Sequence, residues 1–388
     1  MSNNDIVIVS ATRSGLGKRN GWFRETHPVR LGSDVLCEVL ARANLDPALV
    51  EHVIWGCVSQ IGEQTFNIAR NVVLDAGLPI ETPATSIDFQ CGSSQQAIHL
   101  AAGMIATGQV EIAVAGGVEN MSRVPMGSSL GMDGSQPFTD RIMEQHNIIP
   151  QGMSADEIAQ KWGITRADVD QIGYESHMRA TNATQKGWLT GEITPLSGVD
   201  EAGNAVMVTQ DQGFRPSANV EKMVTLQPAF TPTGVTTAGN SSQISDGAAA
   251  VLLMTRAKAE SLGLKPRARI VSMVTVGSDP HLMLTGPIGA THKALKHANL
   301  SFDQIDLFEV NEAFAAVVAM WRNEFNANMD KVNVHGGAIA IGHPLGGSGA
   351  RLMTTLIHAL ETHDKRYGLQ TMCCGGGMGT GTIIERLS

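Results

Sequence analysis

Short apolar runs alternate along this chain with longer stretches whose apolar residues recur at helical spacing. The runs DIVIVSA at 5–11, VEHVIWG at 50–56 and EIAVAGG at 111–117 read as buried strands. The stretches LGSDVLCEVLARANL and SSQQAIHLAAGMIATG read as helices between them. Strands alternating with helices predict an α/β architecture of stacked layers.

The same order returns in the second half. ARIVSMVTVG near 268, the helical THKALKHANL, the strand-like IDLFEVNE, a Gly-rich turn into ARLMTTLIHALET and finally GLQTMCCGGGMG repeat the earlier succession. Aligning AVAGG (113–117) with MCCGGG (372–377) also brings VIWG (53–56) near FEVN (308–311). It sets the helix after Cys91 beside the helix after Gly347. Two copies of one unit are therefore expected. Residues 119–247 break the pattern and read as an insertion facing substrate, with a helical AQKWGITRADVDQIGYESHMRATNATQ inside it. GAAAVLLMTRAKAESLG at 247–263 then supplies a strand and helix that complete the first unit. The expected organisation is a first half at 1–118 and 248–266, an inserted loop domain at 119–247, and a second half at 267–388.

Composition narrows the function classes. A formal charge of −9 argues against a nucleic-acid surface, so any anionic ligand must be met by local positive charge. No apolar stretch reaches the ~18 residues that would span a bilayer. The start MSNNDIVIVSATR lacks a basic segment followed by a long apolar core, which predicts an unexported, cytoplasmic protein. Five unevenly spaced cysteines do not form a disulfide framework and fit a reducing compartment. Forty-two glycines flanked by apolar segments suggest tight turns and close backbone approaches, hence a site built partly from backbone.

Four segments carry chemistry. Cys91 lies in SIDFQCGSSQQAIHLAAGMIATG, where a strand end meets a helix N-terminus. Unpaired N–H groups and the positive helix end favour a thiolate there, which predicts a lowered thiol pKa. The competing reading is a buried small hydrophobe. His343 lies in HGGAIAIGHPLGGSGAR, a glycine-dense turn that lacks the GK[ST] ending of a phosphate loop and occupies the pseudo-equivalent of the Cys91 turn. Cys373 and Cys374 precede three glycines whose N–H groups suit an oxyanion. Adjacent cysteines without a CxxC pair make a metal site unexpected. Asn311, at the strand-to-helix junction of IDLFEVNEAFAA, is either a helix cap or a holder of water.

Together and in this order, CGSS, NEAFA, GHPLGGSGAR and C-x-GGGMG resemble the thiolase family over essentially the whole chain. The resemblance implies a thiolase fold: two similar βαβαβαββ halves packed as a five-layer αβαβα sandwich with an inserted loop domain. It implies that Cys91 accepts the acyl group, His343 activates it, Cys373 serves as acid and base, and Asn311 positions a water. Backbone N–H groups of Cys91 and Gly375 would hold the oxyanion. Cys374 falls where the family needs no cysteine. Arg215, Leu226, Phe230, Ala238 and Ser242 would meet coenzyme A, with Ala313 and Phe314 nearer the thioester. From the residues alone, the lesser alternative is a surface arginine at Arg215 and core positions at Leu226 and Phe230.

The implied reaction is thiolysis of 3-ketoacyl-CoA by CoA as co-substrate, giving acetyl-CoA and a shortened acyl-CoA, with no resident cofactor and no metal. A homo-oligomer, a dimer or a dimer of dimers, is expected of such a relative. Pro150, Gln151 and Gly152 stand where acetoacetyl-CoA-forming members carry His-Met-Gly. CGSSQQAI and HPVRLG (27–32) resemble degradative thiolases, including those acting on bulky or steroid-derived chains. Rival readings are a short-chain biosynthetic thiolase, a decarboxylating or hydroxymethylglutaryl-type condensing enzyme, and a non-catalytic acyl-CoA- or lipid-binding relative. Cys373 argues against the condensing enzymes, and the full set of four residues against the binding protein.

Overall fold

The computed structural model describes residues 2–130 and 135–387, so residues 131–134 of the expected insertion lie outside the described residues. The first half comprises β1 (Ile6–Ser14), α1 (Pro28–Arg42), β2 (His52–Gly56), α2 (Ile68–Asp75), β3 (Ala84–Ile87), α3 (Ser93–Ala106) and β4 (Ile112–Asn120). An inserted region with α4 (Gln151–Lys161) and α5 (Arg166–Gln185) follows, and β5 (Ser245–Thr255) returns to the first half. The second half runs through β6 (Ala268–Gly277), α6 (Gly286–Ala298), β7 (Leu307–Val310), α7 (Ala315–Phe325), α8 (Ser348–Thr362), β8 (Tyr367–Cys374) and β9 (Met378–Arg386).

The strand orders reveal the repeat. In the first half β2 pairs parallel with β4, and β4–β5 and β5–β1 are antiparallel. In the second, β7 pairs parallel with β8, and β8–β9 and β9–β6 are antiparallel. The two paths are the same, with β3 added at the outer edge of the first beside β2. A short antiparallel pairing, Val7 with Arg269 and Ile8 with Ala268, joins the sheets through β1 and β6.

Helices fill the layers according to their apolar faces. On the outside of the first sheet, α1 and α2 pack with Val35, Leu36, Val39, Val72 and Val73. On the outside of the second, α6 and α7 pack around Leu295, Val317, Val318 and Trp321. Between the sheets lie α3 and α8, whose Ala97, Ile98, Ala101, Met353, Leu356 and Ile357 meet Val251 and Leu253 from one sheet and Leu307 and Ile384 from the other. This is the five-layer αβαβα sandwich. All of Ser348–Leu360 in α8 is buried, as a helix enclosed on every side must be. In the insertion, α5 starts from a reciprocal cap between Thr165 and Asp168.

Candidate active site

Glycines allow the two halves to meet where chemistry is expected. A Cβ on Gly117 would strike the Gly346 carbonyl, and one on Gly349 would strike the backbone of Gln95 in α3. The turn that carries His343 therefore presses directly on the start of α3. Glu119, at the end of β4, fixes that contact: its carboxylate accepts the N–H groups of Val58, Ser59 and Gly346 at 2.9–3.0 Å. Ser94 on α3 accepts the N–H of Ala350 on α8 at 2.8 Å.

Cys91 is buried one residue before the α3 cap Gly92. The preceding Gln90 takes a left-handed conformation at φ 51°, with its N–H donated to the Asp88 carboxylate at 2.7 Å. This tight turn aims the thiol. Burial pushes the Cys91 thiol up to about 12, while the N–H groups of Gly375 and Cys91 itself pull it down and nearby Asp88 and Glu119 add to the rise. The lowered pKa expected from the helix end is thus overturned: loss of solvent outweighs the N–H groups, and the resting group is a thiol. The Gly375 N–H, brought by the end of β8, is thus near enough to act on the Cys91 thiol, and a backbone donor in such a place suits an oxyanion.

His343 is buried, and its Nδ1 lies 2.6 Å from Ser348 Oγ. Ser348 donates its hydroxyl proton to the Pro344 carbonyl at 2.9 Å. The hydroxyl must therefore accept from Nδ1–H, which leaves Nε2 as a lone pair. Asn311, just past β7, approaches that Nε2 through its amide nitrogen at 3.3 Å. Its Oδ1 is buried and without a partner among the described residues, an acceptor suited to a water. Burial, aided by the Arg351 charge, lowers His343 to about 3, so the ring is neutral.

Cys373 and Cys374 end β8, and the hairpin to β9 turns through Gly376 and Gly377 at φ 81° and 79°, which only glycine adopts freely. The two thiols face different surroundings. Cys373 shares an apolar cluster with Ala313 and Phe314, and Cys374 shares one with Cys91, Leu352 and Met372. Burial, and the proximity of Cys91, hold both thiols above the ordinary range. Cys374 Sγ occupies the place of a missing Gly92 side chain, 2.6 Å from where that Cβ would be. It is a packing partner of the Cys91 turn.

The expected coenzyme A residues fall into two groups. Arg215 and Leu226 line a cavity of about 250 Å³ with His177, Asn219, Lys222 and Gly239. Ala238 is exposed beside Gly239. Phe230 and Phe314 meet edge to face with ring centres 5.9 Å apart, and the Ser242 N–H donates to the Ala313 carbonyl at 3.0 Å. Phe230 is exposed and lies over Gly152, so it is not a core residue. Sequence reasoning missed His177, whose Nδ1 accepts the Arg215 N–H at 3.1 Å, and Lys222, four residues before Leu226. Burial and Arg215 lower His177 to about 4. It also missed Ser348, a serine opening the helix after the His343 turn. A larger depression of about 510 Å³ at His27, Arg30 and Asp75 lies on the outer helices, across the first sheet from Cys91. Among the described residues no group of three or more His, Cys, Asp or Glu is arranged to hold a metal, and no helix is long and apolar enough to cross a membrane.

Comparison with known proteins agrees with this fold. Residues 6–257 match the family model of the thiolase N-terminal domain and residues 264–386 that of the thiolase C-terminal domain. A protein named 3-ketoacyl-CoA thiolase from Psychrobacter cryohalolentis is 45% identical, covering 100% of this chain and 99% of its own length. One of the same name from Alcanivorax borkumensis is 44% identical over 100% of both. The crystal structure of the Bacillus anthracis acetyl-CoA acetyltransferase superposes with TM-score 0.91 at 36% identity over 100% of both chains. That of human mitochondrial 3-ketoacyl-CoA thiolase does so with TM-score 0.92 at 33% identity, over 99% of this chain and 100% of that one. The chain is an acyl-transferring enzyme. It belongs to the thiolase family.

Proposed function

We propose that the protein cleaves 3-ketoacyl-CoA with CoA, giving acetyl-CoA and an acyl-CoA two carbons shorter, through a thioester on Cys91. The observation that carries this reading is a buried thiol, Cys91, immediately before the start of α3, with the Gly375 N–H and a second buried thiol, Cys373, near enough to act on it. His343 Nε2 takes the Cys91 proton, and Sγ attacks the 3-keto carbon. The oxyanion forms against the Cys91 and Gly375 N–H groups. As it collapses, the C2–C3 bond breaks and its electron pair passes to the acetyl-CoA enolate, stabilised by His343 and a water on Asn311. The Cys373 thiol protonates that carbon. Incoming CoA gives its thiol proton to the Cys373 thiolate and attacks the acyl carbonyl, and Cys91 leaves as a thiolate that recovers the proton from His343. The raised Cys373 pKa suits a group that must begin as an acid.

Arg215 and Lys222 provide the local positive charge that an overall acidic chain needs to hold the phosphates of CoA. Phe230, Phe314, Ala313, Leu226, Ala238 and Ser242 line the way inward for pantetheine. The full-length likeness to proteins named 3-ketoacyl-CoA thiolase supports a place in fatty-acid or steroid side-chain β-oxidation. A cytoplasmic homodimer or dimer of dimers completes the reading. The test is to mix protein with a 3-ketoacyl-CoA and omit CoA. An acyl mass on the peptide holding Cys91, discharged by added CoA, is expected, and no adduct with any chain length would refute it.

A further inference from the structure

His281 has no part in the mechanism above, yet it joins two parts of the molecule that border the reacting centre. It lies in the loop 278–285 between β6 and α6. One side of that loop rests on the β8–β9 hairpin. The Ser278 N–H donates to the Gly377 carbonyl at 2.7 Å, and a Cβ on Gly377 would lie 2.8 Å from Pro280 Cα. The same hairpin brings the Gly375 N–H to Cys91, and Leu282 and Met283 carry the loop into the apolar cluster that holds Cys373. The other side of the loop meets the inserted region. Ser154 of α4 donates its hydroxyl to the His281 carbonyl at 2.8 Å, and Gln151, the first residue of α4, sets Nε2 3.0 Å from the place of a Cβ on Gly375.

The imidazole spans this junction. Nδ1 lies 2.7 Å from the Asn147 carbonyl, at the end of the short helix Asp140–His146, and Nε2 lies 2.7 Å from Glu157 Oε2 on α4. A backbone carbonyl and a carboxylate only accept, and a neutral imidazole has one N–H, so the imidazolium alone satisfies both. The Asn147 side-chain amide, 3.5 Å from the same Nδ1, is too far to compete with that carbonyl. The Asn147 carbonyl, then Glu157 and Asp279, hold the ring above the ordinary histidine range. Glu157 from α4 and Asp279 from its own loop are the charged groups that face it, both negative. The neighbouring Asp156 gives α4 a separate anchor, accepting the Thr231 hydroxyl and the Val235 and Thr236 N–H groups at 2.7–3.1 Å, so loss of the His281 bridge loosens a junction without freeing the helix. We propose that His281, as an imidazolium, is a positioning residue that latches the inserted region to the hairpin carrying Gly375, and that its deprotonation weakens substrate binding. This rests on the thiolase reading and adds a pH-dependent control to it. The latch is complete below about pH 6.5 and is lost as pH rises through the raised value of the folded ring. Substrate re-seats the loosened loops, so the loss appears in KM and leaves kcat unchanged.

The test follows KM for one 3-ketoacyl-CoA from about pH 6 to about pH 9 in the full-length wild type, Glu157→Gln and His281→Gln. Amide protection of segments 147–157 and 278–285 is read over the same range without substrate. A glutamine at 157 accepts from the imidazolium through its oxygen and donates to the neutral ring through its nitrogen, so the bridge survives deprotonation. Relative to Glu157→Gln, the wild-type KM is expected to rise about three- to fivefold across the range, the scale of a partly exposed ion pair. Both segments lose protection at the alkaline end, and His281→Gln shows the higher KM already at the acid end. Parallel KM profiles in wild type and Glu157→Gln would overturn the proposal, because the charge on the ring would then be immaterial. So would an NMR titration of His281 centred at or below about 6.5. Thiolysis without alkaline loss of protection refutes the latch alone, and loss of protection without any thiolysis refutes the reaction and with it the role in binding.

Discussion

His343 Nδ1 and Ser348 Oγ stand 2.6 Å apart, and that one bond decides which face of the imidazole can act as a base. The serine proton is committed to the Pro344 carbonyl, so the bond fixes the proton on Nδ1 and leaves the Nε2 lone pair facing Asn311, whose amide N–H it accepts at 3.3 Å. A neutral thiol with a pKa raised to about 12 and a neutral imidazole lowered to about 3 do not exchange a proton at rest. On the proposed reaction, transfer becomes favourable only as charge develops on a substrate oxygen held by the Cys91 and Gly375 N–H groups. A pair arranged this way spares the thiol from side reactions until substrate is bound.

Ser348→Ala removes the tautomer lock and leaves Nδ1 facing a vacated volume. The expected effect is a fall in kcat of about 10- to 100-fold, with KM changed by less than about threefold. Ser348→Thr, which keeps a hydroxyl, should recover most of the rate. Steady-state kinetics on one 3-ketoacyl-CoA measures both constants. A pure rise in KM, or no recovery by threonine, would assign the serine to packing alone.

Cys373 and Cys374 are neighbours in sequence, and the proposed reaction gives them opposite roles. Cys373→Ser is expected to lower turnover about a hundredfold or more while still allowing a stoichiometric acyl adduct on Cys91. Cys374→Ser removes a sulfur that packs on Gly92, so it should cost about 1 kcal/mol of stability and leave kcat within a few-fold. Mass spectrometry of the adduct and a thermal melt separate the two. Equal loss of turnover in both variants would contradict the split assignment.

Much of this was legible in sequence because it depends on periodicity and order. The repeat of β2 and β4 in β7 and β8 follows from apolar runs that must be buried on both faces, and VIWG does fall opposite FEVN in the strand order. The glycines of GHPLGGSGAR announced a close approach, and they meet Gly56, Gly117 and Gln95. The direction of the Cys91 pKa was not legible. It turns on how completely neighbouring layers exclude solvent, and no local pattern records that. His177 and Lys222 escaped notice because a histidine on one helix and a lysine on another short, exposed helix become a pocket only when the insertion folds back on itself.

His99 on α3 joins the two halves by placing Nε2 2.7 Å from Thr382 Oγ1 on β9, and burial lowers it to about 4. A depressed histidine pKa means the unfolded chain binds the extra proton. The associated stability is complete above about pH 6.5 and declines as pH falls toward 4. The stability lead of the wild type over His99→Gln should therefore shrink across that window by an amount on the order of 3 kcal/mol, as read from urea melts at stepped pH. A lead that is constant or grows on acidification would mean that the ring is already charged in the fold.

The same reasoning sets the pH dependence of acylation. The reactive pair is the neutral Cys91 thiol with the neutral His343 ring, and it is lost only when His343 gains a proton near 3 or Cys91 loses one near 12. An unperturbed histidine would instead give an acid limb centred near pH 6.5, with the rate falling tenfold per unit below it. Single-turnover acylation by a saturating 3-ketoacyl-CoA isolates this step from CoA entry and from Cys373. Its rate should be flat, within about twofold, from pH 5.5 to 8.5. Arg351, whose charge helps keep the ring neutral, offers a control. A structure-preserving Arg351→Gln should raise the His343 pKa and move the acid limb upward, never downward. A wild-type limb already present near 6.5 would show that solvent reaches the ring before the substrate does.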